Sequence, residues 1–325
     1  MWVRHLRLTD FRSYADIVID FDKGPVTLIG SNGQGKTNLV EAIEYLATLG
    51  SHRVATDAPL VRQGAERAII AAEVMKDDRA ITIELEINPG KANRARINRG
   101  SPTRARDVLG NVQCVLFAPE DLALVKGDPA ERRRFLDDIL IQRSPRFQAV
   151  KSDYERILKQ RNALLKSSST ARRTAREAML ATMSVWDEQL IDVGGELTAA
   201  RVALVAELLP MARANYVNIA GQGSSEMSLA YVPSYPLVDH DDANRGGKDS
   251  WKADLATAVE DRRDDEFDRG ITLVGPHRDD LLISLGTMPA KGAGHSNGWT
   301  SAHHGGRVGR CSLRTGRSTG EGQPC

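Results

Sequence analysis

Gly30-Ser31-Asn32-Gly33-Gln34-Gly35-Lys36-Thr37 matches the pattern G-x-x-x-x-G-K-[ST] at each fixed position. Its flanks are those the pattern needs. Pro25–Ile29 is a short, β-branched apolar run that reads as a buried strand, and Leu39, Ile43, Leu46 and Leu49 follow at helical spacing. The spacing predicts strand, loop and helix in succession. Glycines let backbone N–H groups turn inward around a phosphate, and the helix N-terminus adds partial positive charge. In such a loop Lys36 reaches the β- and γ-phosphates of a nucleotide and the Thr37 hydroxyl holds Mg²⁺. The alternative, a Gly-rich turn that binds nothing, lacks a reason for the strand and helix on either side.

Composition sets the frame for this site. A chain of 325 residues is long enough for two domains, and its net charge of +1 places any nucleic-acid contact in local patches. Three cysteines make no disulfide framework, which suits a reducing compartment. The N-terminus has no apolar signal core and no run approaches membrane-spanning length, so the expected location is cytoplasmic, with no membrane contact.

In chain order, Leu6/Leu8 and Ile17/Ile19/Phe21 alternate as half-buried strands around a polar turn at Arg12-Ser13-Tyr14. Ala68–Val74, Ala80–Ile87 and Ala95–Asn98 read as further strands, and the apolar run Val112–Phe117 as a central one. An antiparallel sheet is thus added to the loop-bearing core. Beyond Gly127 the text turns helical. Asp128-Pro129-Ala130-Glu131 starts one helix and Ser144-Pro145 a second. Phe147, Val150, Tyr154, Ile157 and Leu164 form a seam interrupted by Arg161. A second seam, from Met179, Met183 and Trp186 to Leu197 and Leu204, ends at Pro210. Two seams joined by a Ser-rich linker predict an antiparallel, coiled-coil-like hairpin, with ordinary packed helices as the alternative. Met227–Val232, Ile271–Val274 and Leu281–Leu285 read as strands, with a helix around Trp251, Leu255 and Val259. From about residue 292 the text is Gly/Ser/Arg/His-rich and reads as disordered. His295, His303, His304, Cys311 and Cys325 match no zinc spacing.

Three stretches together resemble the bacterial RecF family of recombinational repair proteins, built on an ABC-type ATPase head related to SMC proteins. They are Leu8–Tyr14 leading into Gly30–Ile43, Pro119–Asp137 with its Arg132-Arg133-Arg134, and Gly275-Pro276-His277-Arg278-Asp279-Asp280. The resemblance implies an α/β fold: a P-loop ABC-type ATPase head with an added antiparallel sheet and a mainly helical second domain bearing the hairpin. The expected division is 1–126 for the first part of the head and 127–264 for the helical lobe. Residues 265–291 then return to the head, and 292–325 form a tail. The resemblance further implies ATP and Mg²⁺ as ligands at Gly30–Thr37, with Thr37 on the metal, and slow DNA-dependent ATP hydrolysis. It implies an ATP-dependent homodimer, binding to double-stranded or gapped DNA and also single strands, and work with RecO and RecR in loading RecA. Roles at replication forks and in SOS induction follow from that. Arg94, Arg96, Arg99 and Arg104 on or beside one hairpin, with Arg106, and Arg132 and Arg133 opening a helix are candidate DNA contacts; a solvated basic surface is the alternative for each cluster. Gly275–Asp280 fits a structural turn or a dimer interface better than catalysis.

The resemblance breaks near residue 292. The family's Ser-x-Gly-(Gln/Glu) signature loop and its Walker B strand have no credible counterpart. Ser318-Thr319-Gly320-Glu321 has the letters but too little chain after it for a helix, and Phe135-Leu136-Asp137-Asp138 has carboxylates without a strand. The expectation is therefore that residues from about 292 onward are out of frame or otherwise replaced, that no catalytic residue is identifiable, and that hydrolysis is negligible. Two other readings remain: a non-hydrolysing, ATP-switched DNA-binding or scaffold protein, and a non-functional frameshifted fragment. A small-molecule P-loop kinase is disfavoured by the added sheet, the helical arm and the Arg-rich stretches.

Overall fold

In the computed structural model, residues 1–168, 173–221, 223–237 and 247–290 are described. The expected tail at 292–325 lies outside them, as do most of the loop at 239–247 and the side chain of Met179. Contacts divide the chain after Cys114 into two units.

The first unit is a six-stranded antiparallel sheet, order β2-β1-β3-β4-β5-β6, covered on one face by helix α1. The strands are β1 (Trp2–Phe11), β2 (Tyr14–Asp20), β3 (Ala68–Lys76), β4 (Arg79–Ile87), β5 (Arg94–Ile97) and β6 (Thr103–Arg104). Period-2 patterning dictates this sheet. Leu8, Ile70, Leu85 and Ala95 stand opposite one another in successive strands and are all buried. Leu39, Ala42, Tyr45 and Leu46 of α1 (Lys36–Thr48) close over them. The other face carries cross-strand ion pairs such as Arg7–Asp16 and Arg67–Glu86.

Two expected strands do not form. Pro25–Ile29 and Val112–Phe117 belong to no ladder among the described residues, and Val112 makes only an isolated bridge to Leu109. Leu28 and Val112 still pack on the core, whereas Ile29 is 59% exposed and Val115 and Phe117 are 97% and 87% exposed. The physical reason is that a strand is defined by a neighbour that exchanges hydrogen bonds with it, and apolar content supplies none.

The second unit is mainly helical. α2 (Leu122–Lys126) and α3 (Pro129–Arg143) precede α4 (Arg146–Ser168) and the long α5 (Arg173–Ala220), which pack side by side as the expected antiparallel pair. Tyr154 and Ile157 of α4 are buried, as are Met183, Leu190, Leu197 and Leu204 of α5, which recur every seventh residue. Arg161 does not break the seam but fills it, paired to Asp187 at 2.8 Å and to Glu266 at 2.6 Å. Pro210 does not end α5. The helix runs through it to Ala220, and the turn beyond is held from outside, by Arg213 Nε donating to the Met227 carbonyl at 2.8 Å and pairing with Glu226.

A three-stranded sheet, β7 (Met227–Val232), β8 (Asp280–Leu285) and β9 (Met288–Pro289), packs on α5 and α3. Helices α6 (Lys248–Asp261) and α7 (Arg263–Arg269) complete the unit. Residues 265–290, expected to rejoin the ATPase head, make their observed contacts inside this second unit, β8 through β7. Ile271–Val274 is not a strand. Side chains replace the ladder: Thr272 N donates to Asn162 Oδ1 and Leu273 N to Glu266 Oε1, each at 2.7 Å.

Candidate functional site

The phosphate-type loop is built by two local devices. Gly35 takes φ +87° and serves as the N-cap of α1 with no side-chain cap, while its carbonyl accepts from the Asn38 amide at 2.8 Å. A Cβ there would sit 2.7 Å from the Tyr14 hydroxyl, so only glycine fits. Lys36 folds back over the turn, and its Nζ donates to the carbonyls of Gly30 at 2.7 Å and Ser31 at 2.8 Å. Gln34 Oε1 accepts from the Ser31 amide at 3.1 Å. Thr37 stands exposed at the second position of the helix. The loop amides, the ammonium and the hydroxyl that the sequence pairs with phosphate and metal are therefore assembled within one turn. This donor set fits a polyphosphate with its cation.

The polar turn expected at Arg12-Ser13-Tyr14 has a task in the structure. The β1–β2 hairpin turns at Arg12, φ +52°, and aims three side chains at the loop and α1. Tyr14 Oη donates to the Gln34 carbonyl at 3.2 Å, and Ser13 Oγ accepts from Asn38 Nδ2 at 3.0 Å. Arg12 grips the buried Glu41 through Nε at 2.9 Å and through its terminal nitrogen at 2.5 Å. Burial pushes Glu41 upward, but Arg12, Ser51 and Arg53 outweigh it and hold the carboxyl below the usual range. Burial raises the Tyr14 hydroxyl, keeping it a neutral donor. The positive φ at Arg12 was the hidden signal, and sequence patterns do not carry it.

The candidate arginines separate. Arg94 and Arg104 face each other across the β5–β6 register, with Arg106 just beyond, lining a cleft of about 640 Å³. Arg96 leans to Glu84 on β4 at 3.6 Å, and Arg99 lies in the turn after β5. Arg132 corrects the expectation of a DNA-facing helix start. Its side chain is 10% exposed, bidentate to Asp280 at 2.7 and 2.9 Å, and bonded to the Gly127 carbonyl. Arg133 donates to the Asp279 carbonyl at 2.7 Å. Arg132 spends its donors, and Arg133 one of its nitrogens, inside the second unit.

Gly275–Asp280 is a keystone of that unit. Asp279 is fully buried and accepts from the Tyr231 hydroxyl and the Ser234 amide, each at 2.7 Å. The Pro276 carbonyl accepts from Arg201, which is also bidentate to Asp137. His277 Nε2–H faces the Thr272 carbonyl, so Nδ1 accepts from Tyr154 Oη at 2.7 Å. Burial lowers the His277 pKa to about 4, and the imidazole is neutral. Gly275, φ +118°, has the Tyr154 hydroxyl 2.7 Å from where a Cβ would stand. The geometry matches the structural reading of this motif. Among the described residues no group of His, Cys, Asp or Glu has metal-site geometry, and no helix is long and apolar enough to cross a membrane.

Residues 2–216 match the family model described as RecF/RecN/SMC N terminal domain. A solved structure of the recombination mediator protein RecF-ATPrS in the RecFOR pathway superposes with a TM-score of 0.80 at 21% identity, covering 91% of this chain and 76% of that one. The fold is that of an α/β, ABC-type ATPase head of the SMC kind with an added antiparallel sheet. The DNA replication and repair protein RecF of Streptomyces avermitilis is 56% identical over 304 residues, 93% of this chain and 80% of its own length. Its counterpart from Kineococcus radiotolerans is 52% identical over 308 residues, 93% of this chain and 78% of its own. The chain belongs to the RecF family of DNA replication and repair proteins.

Proposed function

We propose that this protein binds ATP with Mg²⁺ at Gly30–Thr37 and uses the bound nucleotide to control its grip on duplex or gapped DNA. The observation that carries the reading is the uncapped start of α1, with Lys36 folded over the loop carbonyls and Thr37 free beside it. Lys36 and the loop amides would hold the phosphates, and the Thr37 hydroxyl the metal. Bound nucleotide supplies negative charge at the loop. What the chain itself contributes is a preorganised donor set braced by Arg12, Ser13 and Tyr14. The RecFOR pathway named for the RecF-ATPrS structure supports a place beside RecO and RecR in loading RecA at gaps, and hence roles in fork maintenance and SOS induction. Assembly as an ATP-dependent homodimer in the cytoplasm belongs to the same proposal.

The test is equilibrium binding of a fluorescent ATP analogue with Mg²⁺ to the full chain and to Lys36→Ala. The expected result is measurable binding that weakens at least about tenfold in the variant, with thermal stability preserved, since a lost charge-assisted hydrogen bond is worth about 1.5–3 kcal/mol. Equal affinity in both proteins would overturn the assignment.

A further inference from the structure

The outer face of the first unit's sheet is studded with arginines, and most are neutralised. Arg4 pairs with Glu73, Arg7 with Asp16, Arg62 with Asp10, Arg67 with Glu86 and Arg96 with Glu84. The β5–β6 edge is different. Arg94, Arg104 and Arg106 are exposed and form no ion pair among the described residues. The carboxylate opposite Arg94, Glu86, is taken by Arg67. Asp107 lines the cleft, but its Oδ2 accepts from the Arg104 backbone N–H at 3.1 Å and so serves the turn. Arg94 and Arg104 are direct cross-strand neighbours, an arrangement that costs stability unless an anion lies between. Planar guanidinium groups match phosphate oxygens in a way that ammonium groups do not.

The cleft is also wired to the nucleotide helix. Tyr45, on the helix that opens at Lys36, donates to Asp57 Oδ1 at 2.7 Å. Asn93, next to Arg94 and itself lining the cleft, donates to Asp57 Oδ2 at 2.7 Å and to the Tyr45 hydroxyl at 3.2 Å. The Asn88 amide donates to Asn93 Oδ1 at 2.8 Å and fixes its orientation. Tyr45, Asp57 and Asn93 thus form a continuous hydrogen-bonded path from α1 to the residue beside Arg94.

We propose that the Arg94–Arg104–Arg106 cleft receives backbone phosphates of duplex DNA, and that Tyr45–Asp57–Asn93 couples its occupancy to the nucleotide loop. The proposal rests on the reading above that the chain binds ATP and DNA. Tyr45 and Asp57 are positioning residues that touch neither ligand.

The experiment is fluorescence anisotropy of a labelled DNA duplex on the full chain, with and without a non-hydrolysable ATP analogue and Mg²⁺, across a salt series. Replacing all three arginines by Ala should weaken duplex binding at least about tenfold. It should also flatten the log–log salt dependence by about 2–3, as loss of three phosphate contacts predicts. Nucleotide affinity should not change. The triple Gln variant provides the same test should the Ala protein misfold. Tyr45→Phe and Asp57→Asn should keep each ligand's separate affinity but lose the factor by which each strengthens the other, a factor that must be equal in both directions. If the wild type binds duplex and the arginine variants bind it equally well, the cleft is wrong while the DNA reading stands. If Tyr45→Phe lowers Tm but keeps the coupling factor, the strut is merely structural and the proposal falls. A wild type that binds no DNA at any salt concentration overturns both readings together.

Discussion

Glu41 shows how one buried carboxylate organises a binding loop. It has no solvent exposure and takes hydrogen bonds from Arg12, Ser51 and Arg53, so the β1–β2 turn, α1 and the chain after Gly50 meet on a single side chain. Breaking a buried pair leaves an uncompensated charge. Glu41→Ala should therefore destabilise the protein by about 3 kcal/mol, measured as a lowered urea midpoint, and should loosen nucleotide binding through the loop. His277 makes a different prediction. Its folded pKa, about 4, lies below the ordinary histidine value, so the unfolded chain takes up the proton first as pH falls. Its contribution is complete above about pH 6.5 and is lost progressively toward pH 4. Replacing His277 with Asn should flatten the fall of Tm between those pH values relative to wild type. An unchanged slope would show that other groups carry the acid sensitivity.

Elements succeed here where local pattern and tertiary contact agree. The strands β1, β3 and β4 follow their period-2 text, and the α4–α5 seam follows its heptads. Pro210 is where they disagree. Proline inside a helix removes a hydrogen bond and crowds the preceding turn at a cost of about 3 kcal/mol, yet α5 continues because Arg213 anchors its last turns to the strand at Met227 and Glu226. Pro210→Ala should consequently stabilise the chain, by about 2 kcal/mol once the greater freedom of the unfolded state is deducted. Urea unfolding reads this directly, and a lower midpoint would mean that the proline's fixed backbone geometry is needed where α5 meets β7.

Across the whole molecule, apolar side chains at the surface mark where the sequence expected a central sheet. Val115 and Phe117 in the second unit are almost fully exposed, and Ile29 in the first is more than half exposed. Exposed apolar side chains of this kind invite association. The double variant Val115→Thr, Phe117→Ser should reduce concentration-dependent light scattering while leaving Tm within about 1 °C, because fully exposed side chains contribute little to folded stability. A large fall in Tm would show that these residues are packed in solution.

Sequence alone determined the features that depend on neighbours a few positions apart. The Gly30–Thr37 loop and its helix, the alternating strands and the heptad seam are all encoded in short-range periodicity and turn chemistry. Tertiary structure decided everything that depends on a distant partner. Arg132 is an internal strut because Asp280 lies 148 positions away, and Arg161 sits in a seam because Asp187, Glu266 and Thr272 satisfy it there. Arg96 is neutralised by Glu84 whereas Arg94 is left open beside Arg104. An arginine is written the same way in each case. Whether it braces a fold or faces a ligand is a matter of desolvation and pairing, and both are set only when remote segments meet.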